Sequence, residues 1–282
     1  MNQITIKNNF PIRMIEQGKL IIVLVGVLLA TWPTIAWYHS RMTDGSDNNW
    51  GIFSLIIALL ISFLKPTALM QKTNFSIELR KIHYLLAIYI ISMSLSIYPM
   101  IQAVIVVMLY SCVLSQFNRS TKISPGLVGL LFLSLPLFAS LDFYCGYPLR
   151  IIIGIASSFI LNLQGVGVNL EGVNLVLGNK VIMIDGPCSG IKMMWTGSLM
   201  VFSIVAYYNL TLKQSFRLAV IAFTSILIAN ILRICALFYI ETTQLNAPWL
   251  HDAVGLVCYF AATIIILYFA LQQINQPIKV AT

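Results

Sequence analysis

Three residues far apart in the chain carry side chains suited to acyl transfer: Cys188 in Gly186-Pro187-Cys188-Ser189-Gly190, Arg233 three residues after Asn230, and His251 in Leu250-His251-Asp252. A thiol becomes a strong nucleophile once a base removes its proton. Imidazole suits that transfer because its ordinary titration range spans neutral pH. A guanidinium stays charged throughout and offers a planar fork of donors to a developing oxyanion. Cys188, His251 and Arg233 therefore fill the parts of a cysteine-based acyl transfer without a metal, and no cofactor is expected. Other chemistries fit less well. G-x-S-x-G is absent, and no acid is patterned to orient a histidine toward Ser189, so a serine nucleophile is disfavoured. H-E-x-x-H is also absent, and His39, His83 and His251 are scattered. The five cysteines include no C-x-x-C pair, which argues against zinc and redox motifs.

Each candidate also has a plainer reading. Free cysteine is commonly a small buried hydrophobe. Cys112, Cys145, Cys235 and Cys258 are read that way, three of them embedded in apolar runs. Cys188 differs by its neighbours, and a helix starting at the residue itself would favour the thiolate. Arg233 lies within an apolar run, where an ionisable residue is costly and suggests a functional site. Asn230 shares its helical face and is expected to hold the guanidinium in place. The plainer alternative pairs Arg233 with an acid such as Asp185. Lys192, one turn after Cys188, is either a further site cation or a residue reaching outward to the interface. His251, between Trp249 and Asp252, also fits an interfacial helix cap, and gains weight from its agreement with the other two.

The elements that must position these residues follow from composition. Of 282 residues, 59% are hydrophobic and 9% charged, against about 25% charged in soluble domains. With a mean hydropathy of +0.89, a soluble enzyme, a secreted disulfide scaffold and a disordered chain are excluded. Apolar runs able to cross ~30 Å of hydrocarbon need about 20 residues. Reading for them predicts an all-α polytopic membrane protein with about eight spans, near 20–38, 50–64, 81–97, 99–117, 123–141, 188–209, 214–239 and 252–272. Residues 150–165 read as a short helix and 166–185 as a β-hairpin turning at Gly178-Asn179. The whole chain, 1–282, reads as one integral membrane domain. Five spans occupy 1–141, an outer segment 142–187, and three site-bearing spans 188–272. The polar amino terminus carries no convincing cleavage site, so the first span is read as uncleaved.

The net charge of +8 is explained by topology rather than by nucleic acid. With the amino terminus inside, Lys7, Arg13, Lys19, Lys65, Lys72, Arg80, Lys81, Arg119, Lys122, Lys213, Arg217 and Lys279 fall on the cytoplasmic side. Only Arg41, Arg150 and Lys180 fall outside. Both termini are then cytoplasmic, and Cys188, Arg233 and His251 converge at similar depth on the outer side.

From about Gly146 to Gly255 the chain resembles the exosortase/archaeosortase family of membrane-embedded cysteine transpeptidases. The likeness rests on Tyr147-Pro148-Leu149-Arg150, the stretch from Val181 to Lys192 around Cys188-Ser189-Gly190, the Asn230–Arg233 helix, and Leu250–Gly255. It implies catalytic roles for Cys188, Arg233 and His251 and supporting roles for Asn230, Ser189 and Lys192. A histidine at 251, rather than a second arginine, makes the bacterial branch more similar than the archaeal one. Two departures stand out: Pro187 where many members carry alanine before the cysteine, and Lys192 where many carry arginine. No carboxy-terminal soluble domain follows, so the expectation is a minimal form. The resemblance further implies substrates that are exported proteins ending in a short motif, a transmembrane helix and a basic tail. These would be cleaved and transferred to an unidentified acceptor in the cell envelope, from an enzyme in the lipid bilayer of a bacterial inner membrane. The alternatives from other classes are a transporter or channel using Arg233 as a substrate or gating charge, and a scaffold subunit of an exopolysaccharide-export complex.

Overall fold

A computed structural model of the chain describes residues 10–45, 47–64, 79–117, 122–243 and 248–275. Lys7, Lys65, Lys72, Arg119 and Lys279 of the charge count lie outside the described residues. Two compact units divide at Pro136 and Leu137.

The first unit comprises α1 (Phe10–Ala30), α2 (Trp32–Met42), α3 (Gly51–Leu64), α4 (Leu79–Ser94), α5 (Pro99–Phe117) and α6 (Pro125–Leu133). Where the sequence predicts one span over 20–38, α1 and α2 meet at Thr31 with a 70° bend. Pro33 accounts for the break, since it has no N–H to continue the ladder from α1 and its ring would clash with the carbonyl four residues back, whereas both are tolerated in the first turn of a new helix. Thr31 Oγ1 donates back to the Val27 carbonyl (2.8 Å) and also lies 2.9 Å from Tyr110 Oη. The α5 residues Leu109 and Val113 form the buried centre with Val27 and Ile82.

The second unit carries the candidate residues. Its elements are α7 (Phe138–Leu163), β1 (Asn169–Glu171), β2 (Asn174–Leu177), β3 (Lys180–Met183), α8 (Ile191–Tyr208), α9 (Leu212–Thr242) and α10 (Pro248–Ile274). A 3₁₀ turn over Gly186–Ser189 joins β3 to α8. The stretch read as a separate short helix at 150–165 is the second half of α7, which runs unbroken for 26 residues. The predicted span at 123–141 is in turn divided between α6 and the start of α7 by a break around Pro136. Arg150, assigned to an outer loop by the charge count, lies within this long apolar helix.

Among the described residues, four helices are long and apolar enough to cross a membrane: Pro99–Phe117, Phe138–Leu163, Leu212–Thr242 and Trp249–Ile274. The bent α1–α2 pair makes a fifth if counted as one span. The protein is thus a helical membrane protein. The difference from eight expected spans has a physical basis in the shorter helices. The 14 residues of α3 reach only about 21 Å, and α6 has 9 residues. The 18-residue α8 carries Lys192, Thr196, Ser198 and Ser203 and is not among the four.

The segment predicted as a hairpin forms an antiparallel sheet of three strands in the order β1-β2-β3. Its second turn lies at Gly178-Asn179, between the paired residues Leu177 and Lys180, with Gly178 at φ 58°. The additional strand arises from a turn at Gly172-Val173, between Glu171 and Asn174. Open sheet cannot face lipid because its polar backbone groups would lack partners. One face is covered by protein: Leu175, Ile182 and Ile184 pack with Ile153 and Leu161 of α7 and Ile234 and Phe238 of α9. Asn162 ties the sheet to α7 through both amide atoms, accepting from Val168 N (2.6 Å) and donating to Val168 O (2.8 Å).

Candidate active site

The chain reaches the sheet end of the second unit by α7, leaves by α8, returns by α9 and leaves again by α10. That order brings the turn before α8, the upper part of α9 and the first turn of α10 together. Cys188 lies in the 3₁₀ turn, where its N–H donates to the Asp185 carbonyl at 2.9 Å. Cys188 Sγ sits 3.7 Å from His251 Nε2. A contact of that length is suited to proton transfer after modest tightening, as catalytic hydrogen bonds are often long without substrate. Cys188 is buried, while His251 is half-buried on the fourth residue of α10.

The helix expected to start at Cys188 starts at Ile191. Gly190 precedes it with φ 77°, a left-handed conformation that an L side chain rarely adopts. Gly190 also has no room: a Cβ there would lie 2.7 Å from Asn230 Nδ2. Asn230 uses that nitrogen to donate to the Cys188 carbonyl at 2.9 Å. The contact therefore differs from the expected one of holding the guanidinium: Asn230 clamps the backbone of the turn that carries Cys188. Ser189 is buried beside it, and its Oγ accepts from Ile191 N at 3.4 Å, so it supports the start of α8.

Arg233 lies one helical turn along α9 from Asn230 and is buried. Among the described residues no carboxylate is within ion-pair distance of it, so the alternative of an Asp185 pair does not hold. Its guanidinium rests against α10 at Gly255, where a Cβ would come within 3.1 Å of Nε and 3.2 Å of Cζ. Gly255 is one turn beyond His251, so a single face of α10 presents the imidazole and leaves space for the guanidinium. Arg233 Nε and Asn230 Oδ1 are both buried without hydrogen-bond partners. A buried donor of this kind is costly unless something supplies its partner, and a developing oxyanion would do so. Lys192 is exposed on the first turn of α8.

The thiol's electrostatics differ from the expectation of a favoured thiolate. Burial pushes the Cys188 pKa above its ordinary value; the charge of Arg233 opposes that rise, and Asp185 reinforces it. The helix N-terminus that was to lower it begins only after Gly190. A thiol shifted in this direction would need a base to act as a nucleophile. Gly190 and Gly255 are the residues the sequence reading passed over, although both sit inside stretches it quoted. The signal was their pairing with Asn230 and Arg233 on other helices, which one-dimensional spacing does not display. A cavity of about 320 Å³ between α8 and α9, lined by Met194, Val201, Phe202, Phe223 and Ile226 among others, is apolar and does not include Arg233.

Residues 14–268 match the sequence model of a family described as transmembrane exosortase (Exosortase_EpsH). No curated protein and no solved structure matches the chain.

Proposed function

Since the chain belongs to the transmembrane exosortase family, we propose that it is a membrane-embedded cysteine peptidase and transpeptidase acting on carboxy-terminal sorting signals of exported proteins. The observation that carries this reading is the 3.7 Å approach of Cys188 Sγ to His251 Nε2, with the buried Arg233 on the next helix. In the reaction, His251 takes the thiol proton as Sγ attacks the scissile carbonyl. Arg233 stabilises the oxyanion that forms. The intermediate collapses with cleavage of the C–N bond, and His251 returns the proton to the leaving amine. A thioester on Cys188 remains. An acceptor nucleophile in the envelope, or water, then attacks it while His251 takes the incoming proton, and the departing sulfur recovers that proton.

In this reading the enzyme sits in the inner membrane of a bacterium, with both termini cytoplasmic and the site facing outward. The excess of Lys and Arg in segments such as Arg80-Lys81 and Lys213–Arg217 supports that orientation. Its partners are exported proteins with a recognition motif, a transmembrane helix and a basic tail. The test compares precursor processing in strains carrying the wild-type chain, Cys188→Ala and Cys188→Ser. Both variants should accumulate in the membrane, and both should leave precursors with their carboxy-terminal helix attached. Near-normal processing by Cys188→Ala, or an equal dependence on Cys145, would sink the proposal. A solute flux that persists in Cys188→Ala would favour a transporter instead.

A further inference from the structure

The sheet ends in an open edge that leads into the candidate nucleophile. In the pairing of β2 with β3, Leu177 faces Lys180 across the two-residue turn and Leu175 faces Ile182. Ile184 N then donates to Val173 O at 3.2 Å. Residues on an antiparallel strand alternate between bonding their partner and turning their backbone groups away from it. Val181 and Met183 hold the turned-away positions, so their N–H and C=O groups point off the free side of β3. Among the described residues no backbone hydrogen bond reaches those groups. The two residues are 61% and 62% exposed, while Ile182 and Ile184 between and beyond them are buried.

The edge also has a direction. Lys180 Nζ donates to the Thr242 carbonyl at the end of α9, whereas the Cys188 carbonyl accepts from Asn230. Between those two anchors β3 and the turn after it follow about 18 Å of α9 toward the site, and only four residues separate Met183 from Cys188. A strand paired with β3 would lie ~4.8 Å beside it and travel the same path.

We propose that this edge is the docking strand for the substrate: an extended polypeptide segment, upstream of the scissile bond, pairs with Val181 and Met183 and is thereby led to the thiol of Cys188. This rests on the peptidase reading above. The occupant is a polypeptide because the unpaired groups are two N–H donors and two C=O acceptors in strand register, continuous with the thiol–imidazole pair. Main-chain bonds supply affinity in this mode of recognition, and alternate side chains supply selectivity. A substrate whose carboxy-terminal end enters the bilayer descends in the same sense as β3, so the pairing is parallel. Val181 and Met183 then offer apolar contacts to every second substrate residue on the outward face.

The probe is an exported protein that accumulates as precursor in the Cys188→Ala strain. Proline, which lacks the N–H, is placed in turn at each of the residues ahead of its cleavage point. Processing should fall about tenfold at every second position and stay close to normal at those between. In the enzyme, Val181→Pro and Met183→Pro remove the outward N–H without touching the ladder to β2. Each should lower processing about tenfold while iodoacetamide still modifies Cys188 at the wild-type rate. A proline scan without the alternation overturns the docking edge whatever the enzyme variants do, and the peptidase reading survives as long as processing still requires Cys188. Processing that does not require Cys188 overturns both.

Discussion

Helix α9 threads two cores built on different principles. Its lower half packs Leu218, Ala222, Ile226 and Ala229 against α8 and α10, with Ala262, Ile266 and Ala270 opposite. Its upper half packs Ile234, Cys235, Leu237 and Phe238 against α7 and the sheet. In lipid, helices gain little from hydrophobic burial against each other, so small residues that allow close approach do much of the work. The alanines of the lower core fit that need. A sheet brings backbone groups that must be satisfied, and the upper core answers with branched side chains and with Asn162, which bonds both backbone groups of Val168 just ahead of β1, while Lys180 of β3 donates to the Thr242 carbonyl at the end of α9. Asn230 and Arg233 lie where one core gives way to the other, between Ala229 and Ile234. A buried guanidinium would be expensive inside either core. At the seam it meets the gap at Gly255, one turn from the Asn230 that bonds the Cys188 carbonyl, and its charge acts on the thiol.

The comparison predicts that substitutions at the seam damage chemistry far more than stability. Arg233→Lys keeps the charge but loses the planar fork, and should lower processing about 10²–10³-fold with normal membrane levels. A lysine variant with near-normal processing would show that charge alone suffices. His251→Ala should lose a similar factor, and its pH dependence is diagnostic. Because burial raises the Cys188 pKa, the thiolate is scarce at neutral pH and grows as pH rises. Without the imidazole, residual processing should therefore climb about tenfold per pH unit from roughly pH 7 to 9. An unchanged pH profile in His251→Ala would remove its role as base.

Smaller effects are expected at the turn that carries the proposed nucleophile, Cys188. Gly190→Ala imposes a left-handed conformation costing about 1–2 kcal/mol. It also pushes the Asn230 amide from its bond to Cys188, worth about 1 kcal/mol. Processing should fall on the order of tenfold to a hundredfold. Gly186→Ala, where no atom lies within 4 Å of the added Cβ, should change it by less than about twofold. Equal losses in the two variants would mean that the turn tolerates no side chain anywhere, and that the Asn230 clamp is incidental.

Legibility in the sequence followed the same division. Long apolar runs revealed α5, α9 and α10 closely, because hydropathy is a local property and these helices are long. It failed at Thr31, where Pro33 bends an otherwise continuous apolar run, and at α7, where polar residues around Arg150 made one helix look like a loop and a short helix. The candidate residues that the structure brings together were legible by type, since cysteine, arginine and histidine stand out in an apolar chain. Their supporting geometry was not. The crowding at Gly190, the space at Gly255 and the burial that raises the thiol's pKa each depend on neighbours more than about twenty residues away.

The mildest effect on activity is expected in the lower core, and it tests whether the two cores are separate. Leu218 is fully buried there, about 22 Å along α9 from Arg233. Leu218→Ala leaves a cavity that typically costs about 2–5 kcal/mol in water-soluble proteins. In lipid the packing part of that cost dominates, so the loss should sit near the lower end. The variant should melt at a lower temperature in detergent yet process precursor at the wild-type rate per folded molecule. Leu175→Ala removes a leucine equally buried beneath the sheet, in the core that also contains Cys188. It should lose both stability and rate, because the strand it anchors pairs with β3, which leads into the turn of Cys188. Thermal melting and processing, measured on both variants in the same preparation, separate the two outcomes. If Leu218→Ala lowers the rate per folded molecule as much as Leu175→Ala does, strain passes freely along α9. Asn230 and Arg233 would then mark no boundary.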